Sequence, residues 1–152
     1  MSERFVRRGS FVIERVVDAP PARVFAAWAE REAKLRWFPA NEAAWEFDFR
    51  VGGREFYSGR IAGDPSGAVH TWEARYLDIV PLQRIVYAHS ARRNDVRTSA
   101  SVACVEFEAV RSGTRMRFVE QGFFLDGHDQ VENREMGTHG LFDALERSLQ
   151  GR

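Results

Sequence analysis

In "GTRMRFVEQGFF", Glu120 shares the period-two face of Met116 and Phe118, so alternation aims its carboxylate at the apolar side of a strand while Arg115 and Arg117 point away. Burying a carboxylate uncompensated is expensive. That leaves two readings, a paired group with an arginine as partner or a functional acid. The four histidines, His70, His89, His128 and His139, fall on two strands, a loop and a helix. No two of them have ligand spacing on one element, so no metal site is expected. Each is read as a surface or satisfied core histidine, with a proton donor facing a cavity as the sharper alternative. HExxH, CxxC, GxSxG and a Gly-rich loop followed by GK are all missing, so zinc proteolysis, dithiol redox, hydrolase-elbow and P-loop chemistry have no support.

These groups need elements to position them. "SFVIERVVDA" reads as a strand running into Pro20 and Pro21, which suit a first helical turn because a missing N–H has no partner there. Val24, Phe25 and Trp28, then Leu35 and Phe38, give two short amphipathic helices around the polar break "EREAK". From Trp45 the period changes to two: "WEFDFR" and "REFYSGRI" flank Gly52-Gly53 as a hairpin, the reading preferred for "RVGGR" over a nucleic-acid element. Four more strand-like runs follow, "AVHTWEARYLDIV", "QRIVYAHSA", "RTSASVACVEFEAV" and "GTRMRFVEQGFF". With short turns and no helix between them they must pair antiparallel. "PANEA" and "GDPSGA" are the longest loop signals. Asp129 with Glu132 resembles a capping box, and Val131, Thr138, Phe142, Leu145 and Leu149 form a helical stripe over about five turns. Gly137 and Gly140 inside that helix each cost about 1 kcal/mol relative to alanine, which calls for close packing or room for a ligand.

Composition bounds the reading. The 152 residues fit one domain, 1–152, and Lys plus Arg equals Asp plus Glu at 22 each, so no footprint for nucleic acid is visible. Lys34 is the sole lysine among many arginines. The single cysteine, Cys104, excludes an internal disulfide and favours a reducing compartment. No apolar run approaches the roughly 18 residues of a membrane span. A cytoplasmic protein without membrane insertion is expected.

The blocks "VVDAPPARVFAAWAEREAKLRWF", "FDFRVGGREFY", "YLDIVPLQRIVYAHS", "GTRMRFVEQGFF" and "GLFDALERSL" resemble, in order, the proteins related to the carboxyl-terminal domain of the activator of heat shock protein 90 ATPase. These lie within the START, Bet v-type and polyketide-cyclase (SRPBCC) superfamily. The resemblance implies an α+β helix-grip (START-like) fold, a curved antiparallel sheet with two short helices and one long C-terminal helix gripped across it. It also implies a cavity between sheet and helix that many relatives use for a hydrophobic small molecule. Where many relatives carry tryptophan after a glycine in the last helix, this chain has Thr138 after Gly137, a smaller side chain that would enlarge the cavity.

Twelve Phe, four Trp and three Tyr are available to line it. Phe25 and Trp28 are assigned to the core. Alternation and the implied cavity nominate Trp37, Phe47, Phe56, Trp72, Tyr87, Phe118 and Phe142 as walls, with Glu120, Thr138 and His139 as the remaining candidates. The expected function is binding of a hydrophobic or aromatic small molecule, with no cofactor. A cyclase or aromatase enzyme using Glu120 or a histidine, and a module modulating a chaperone ATPase, are the alternatives. A homodimer is compatible with any of them.

Overall fold

The structure, a computed structural model, describes residues 3–40, 42–60 and 64–150. Asn41 of the expected "PANEA" loop, Ile61 of the expected hairpin strand and Gly63 of "GDPSGA" lie outside the described residues.

Strand β1 (Val6–Val17) runs into helix α1 (Pro21–Ala29), where Pro20 is the extended N-cap and Pro21 the first helical residue. Glu30, in extended backbone, separates α1 from α2 (Arg31–Leu35). A short 3-10 turn leads to β2 (Trp45–Phe47), followed by β3 (Arg54–Arg60), β4 (Val69–Val80), β5 (Arg84–Arg93), β6 (Val96–Val110), β7 (Gly113–Leu125) and α3 (Val131–Gln150). One seven-stranded sheet results, in the order β1-β7-β6-β5-β4-β3-β2, with every neighbouring pair antiparallel. Register shifts at Tyr76/Asp78 and Ala91/Arg92 bend it. This is the expected α+β helix-grip architecture.

Several strand ends shift by one or two residues from the sequence reading, and two boundaries differ for a visible physical reason. β2 stops at Phe47 because the chain then turns onto β4: Gly52 N–H donates to Tyr76 O at 2.8 Å and Tyr76 N–H to Gly53 O at 3.0 Å. Glycine is required at Gly53, where a Cβ would come within 2.0 Å of Asp48 O. Helix α3 begins at Val131, and Asp129 accepts from the Gln130 N–H at 2.8 Å instead of closing a box with Glu132.

The inner face of the sheet carries Phe11, Ile13, Ile85, Ala103, Val105, Met116 and Phe118 in the core, covered by Val24, Phe25 and Trp28 of α1 and Phe142 and Leu145 of α3. Trp28 is the hinge of this packing, with ring centroids 5.0 Å from Trp37, 5.8 Å from Phe142 and 6.4 Å from Phe118. Each fully buried side chain of this size contributes about 1.5–3 kcal/mol of transfer free energy. The outer face carries ion pairs such as Arg54–Glu73 and Arg115–Glu108. Arg15 of β1 reaches Asp143 at 2.6 Å and Glu146 at 3.1 Å, clamping α3 across the first strand. At the other end of α3, Val131 sits over Gly9, where a Cβ would lie 2.6 Å from the valine Cβ. Among the described residues, no helix is long and apolar enough to cross a membrane.

Candidate functional site

Between the inner face of the sheet and α3 lies a cavity of about 330 Å³. It is bordered by Trp28, Trp37, Phe118 and Phe142, whose rings pack on one another, and by Phe38, Trp72 and Tyr87. Phe38, Trp72 and Asp129 also border a wider surface cleft of about 820 Å³. A further open groove, of about 950 Å³, crosses the strands where small residues such as Ala88, Ser90 and Ala100 lie. Its lining includes Arg8, Glu73, Arg75 and Gln121, and Phe123 is its one phenyl ring, so it lacks the cluster of aromatic walls found under α3.

Of the candidate residues, Trp37, Trp72, Tyr87, Phe118, Glu120, Thr138 and Phe142 border this one cavity. Three do not, and each has a physical reason. Phe56 is on the outer face, because it is Glu55 that turns inward on β3; the Arg54 guanidinium lies 4.4 Å over the Phe56 ring. Phe47 points inward but one layer away, stacked on Trp45 at 4.8 Å and beneath the Lys34 ammonium at 5.1 Å. His139 projects from the exposed side of α3, with Nδ1 3.1 Å from Arg15 Nη2. Trp37 is turned inward by its indole N–H, which donates to Ala27 O at 2.8 Å. Trp28, assigned to the core alone, is both core and wall.

Two polar clusters are built into the wall. In the first, Arg134 of α3 donates to Glu120 Oε2 at 2.8 Å and to Ser99 Oγ at 2.6 Å, and stands 3.6 Å from Asp129. Glu120 is 3 % exposed. Burial pushes its carboxyl upward, but the His89 ring and the Arg134 guanidinium outweigh that and hold it below the ordinary range. His89, 7 % exposed and midway along β5, accepts the Trp72 indole N–H at Nδ1 over 3.1 Å. That bond places the ring proton on Nε2. Nε2 approaches Glu120 Oε1 to 3.2 Å, an oblique contact through which the ring favours the ionised carboxylate.

The second cluster surrounds Lys34, which escaped the sequence reading. Its ammonium lies 2.5 Å from Glu55 Oε1, and Glu55, 0 % exposed, also accepts from Tyr76 Oη at 2.6 Å and Trp45 Nε1 at 2.9 Å. Phe38, Phe47 and Trp72 enclose the amine at 5.0, 5.1 and 5.9 Å. Desolvation lowers the Lys34 pKa more than Glu55 raises it. The one signal in the sequence was compositional: an amine in a chain whose other strong cations are all guanidinium groups.

Thr138 is buried at the cavity and spends its hydroxyl proton on Arg134 O at 2.7 Å. An added Cβ at Gly137 or Gly140 would meet nothing within 4 Å, so close packing does not explain either glycine. Gly137 borders the cavity; Gly140 does not. Among the described residues, no group of three or more His, Cys, Asp or Glu is arranged to hold a metal ion.

An uncharacterized protein of Rhizobium leguminosarum has the same fold at a TM-score of 0.89, with 41 % identity over 98 % of this chain and 99 % of its own. The Mll3558 protein of Rhizobium loti follows at 0.88, with 39 % identity over 95 % and 99 %. The AHSA1-like protein of Aeromonas hydrophila, at 20 % identity over 93 % and 92 %, shares the fold at a TM-score of 0.63. None of the curated proteins matches. The sequence model for "Activator of Hsp90 ATPase homolog 1-like protein" matches residues 18–150, and the chain belongs to that family.

Proposed function

We propose that the protein binds a hydrophobic or aromatic small molecule in the cavity under α3. The observation that carries this reading is the convergence there of four aromatic elements of wall, Trp28, Trp37, Trp72 and Phe118, around unfilled space bordered by a few fixed polar groups. Thr138 leaves room where a large side chain would sit, and Gly137 adds none of its own. Binding would fill a space that otherwise leaves its lining without dispersion partners.

The test is a titration with N-phenyl-1-naphthylamine, an uncharged probe that brightens in apolar surroundings. Saturable brightening by the parent protein and its loss in Thr138→Trp, with the fold retained by circular dichroism, is the expected result. Equal brightening in both proteins refutes the reading.

The His89–Glu120 contact favours a second reading, a cyclase-type enzyme that moves protons in the same cavity. Its weakness is also structural: Arg134 holds Glu120 ionised, which suits positioning better than acid catalysis. A single-chain role at a chaperone ATPase, and a cytoplasmic location, remain proposals of the family resemblance.

A further inference from the structure

The outer face of the sheet is not uniformly polar. Val12, Val119, Cys104 and Val86 form one transverse row across β1, β7, β6 and β5, on the side opposite the buried row of Ile13, Phe118, Val105 and Ile85. Val12 is 50 % exposed, and Phe123 of β7 and Val102 of β6, on the same face, are 47 % and 41 % exposed. Apolar side chains left singly in water are ordinary, but grouped on three neighbouring strands they mark a contact surface. Phe123 shares a row with Arg8, Ala100 and Ser90, so a large ring stands one strand away from small side chains that border the open groove. On the other side of the valine row lies a charged one that alternates in sign: Glu14, Arg117, Glu106, Arg84. Neighbours in it attract within the chain, Arg117 standing 3.8 Å from Glu14. The whole row, read end to end, is also its own complement when reversed.

We propose that this face binds a second copy of the chain, forming a twofold dimer whose axis runs parallel to the strands between β6 and β7. Such an axis lays every row on itself reversed. Glu14 then meets Arg84 of the second copy, and Arg117 meets Glu106; one row further out, Arg115 and Glu108 reverse in the same way. Val12 meets Val86, Val119 meets Cys104, and the exposed Phe123 ring meets the small Ala100 beside the groove. Sheets packed face to face lie about 10 Å apart with their strands within about 30° of one another, so side chains of the two copies touch. The apolar rows occupy the middle of this contact and the charged rows its rim, where charges select the partner and its orientation while the apolar contacts hold it. The dimer is independent of what the cavity under α3 binds.

Sedimentation velocity of the full chain over a concentration series is the test. The parent protein is expected to pass from one chain's mass to two in the micromolar range, and Phe123→Arg should weaken that association about ten-fold or more, as truncation or charging of a central anchor does. Glu14 and Arg84 lie three strand spacings apart within one chain, each with a half-exposed side chain, so they meet only across the axis. Glu14→Arg and Arg84→Glu should therefore each weaken self-association, and an equimolar mixture of the two variants should restore it, because each reversed charge then faces its opposite. A chain that stays monomeric to about 100 µM leaves the face to a different protein or to none and overturns the proposal. A dimer indifferent to Phe123→Arg has its interface elsewhere, and a mixture that associates no more tightly than either charge variant alone rules out this axis; both results overturn it as well.

Discussion

Lys34→Met isolates the value of the buried cation beside the cavity. Glu55 is 0 % exposed and holds three donors, Lys34 Nζ, Tyr76 Oη and Trp45 Nε1. Removing one partner of a buried pair costs about 3–5 kcal/mol, because the remaining charge stays desolvated and unmatched. Two of the three donors survive in the variant, and each hydrogen bond to a charged group is worth about 1.5–3 kcal/mol, so the loss belongs near the lower end of that range. A loss of about 3 kcal/mol corresponds to about 6–12 °C in Tm for a domain of this size. Scanning calorimetry at pH 7 reads it directly. The double variant Lys34→Met/Glu55→Gln removes both charges, with the amide oxygen accepting from Trp45 and the amide NH2 turned to donate to Tyr76 Oη, and should recover half of the loss or more. A single variant within about 1 kcal/mol of the parent, or a double variant less stable than the single one, would refute the pairing argument.

Gly140→Ala should raise stability by about 1 kcal/mol, since the position is helical and its added Cβ meets nothing; an unchanged or lower melting temperature contradicts this. Phe118→Ala should cost about 3–5 kcal/mol by chemical denaturation, because Phe118 packs against Phe11, Trp28 and Phe142 at once. Glu120 has a folded pKa below its ordinary value of 4.5, so its contribution is present above pH 4.5 and is lost as the pH falls through the folded value. Melting temperatures of Glu120→Gln against the parent should therefore converge on acidification below pH 4.5, and parallel curves would show that the carboxylate is not stabilised in the fold.

The order of elements was readable because each strand and helix carries its own period and its own stop, from Pro20-Pro21 to the Ser112-Gly113 turn. Glu120 was readable for the same reason, since Met116 and Phe118 fix the phase of β7, and its arginine partner is Arg134. Phase failed on β3, where both "EFY" faces carry a large ring, and it is the set of donors from Lys34, Tyr76 and Trp45 that holds Glu55 in with Phe56 out. The run "QRIVYAHSA" stops two residues short of Arg93, where β5 ends, so His89 lies nearer mid-strand than the sequence indicates. Lys34 and Glu55 are 21 residues apart, on a helix and a strand that meet only in the folded chain, and no local pattern marks such a pair.

The pairing of β1 with β7 has a consequence for how the chain is made. Val6 lies opposite Leu125 and Val17 opposite Thr114, so β1 finds its partner only after β2 to β7 have been made. During synthesis from the amino terminus, Phe11, Ile13 and their outward neighbours Val12 and Val16 would wait exposed, a segment with strand propensity and no ladder to join. Such long-range closure is slow compared with local hairpins. The β3–β4–β5–β6–β7 meander would form first, with β1 and α3 locking it last through the Arg15 clamp. The kinetic vulnerability of this protein therefore sits in β1, Val6–Val17.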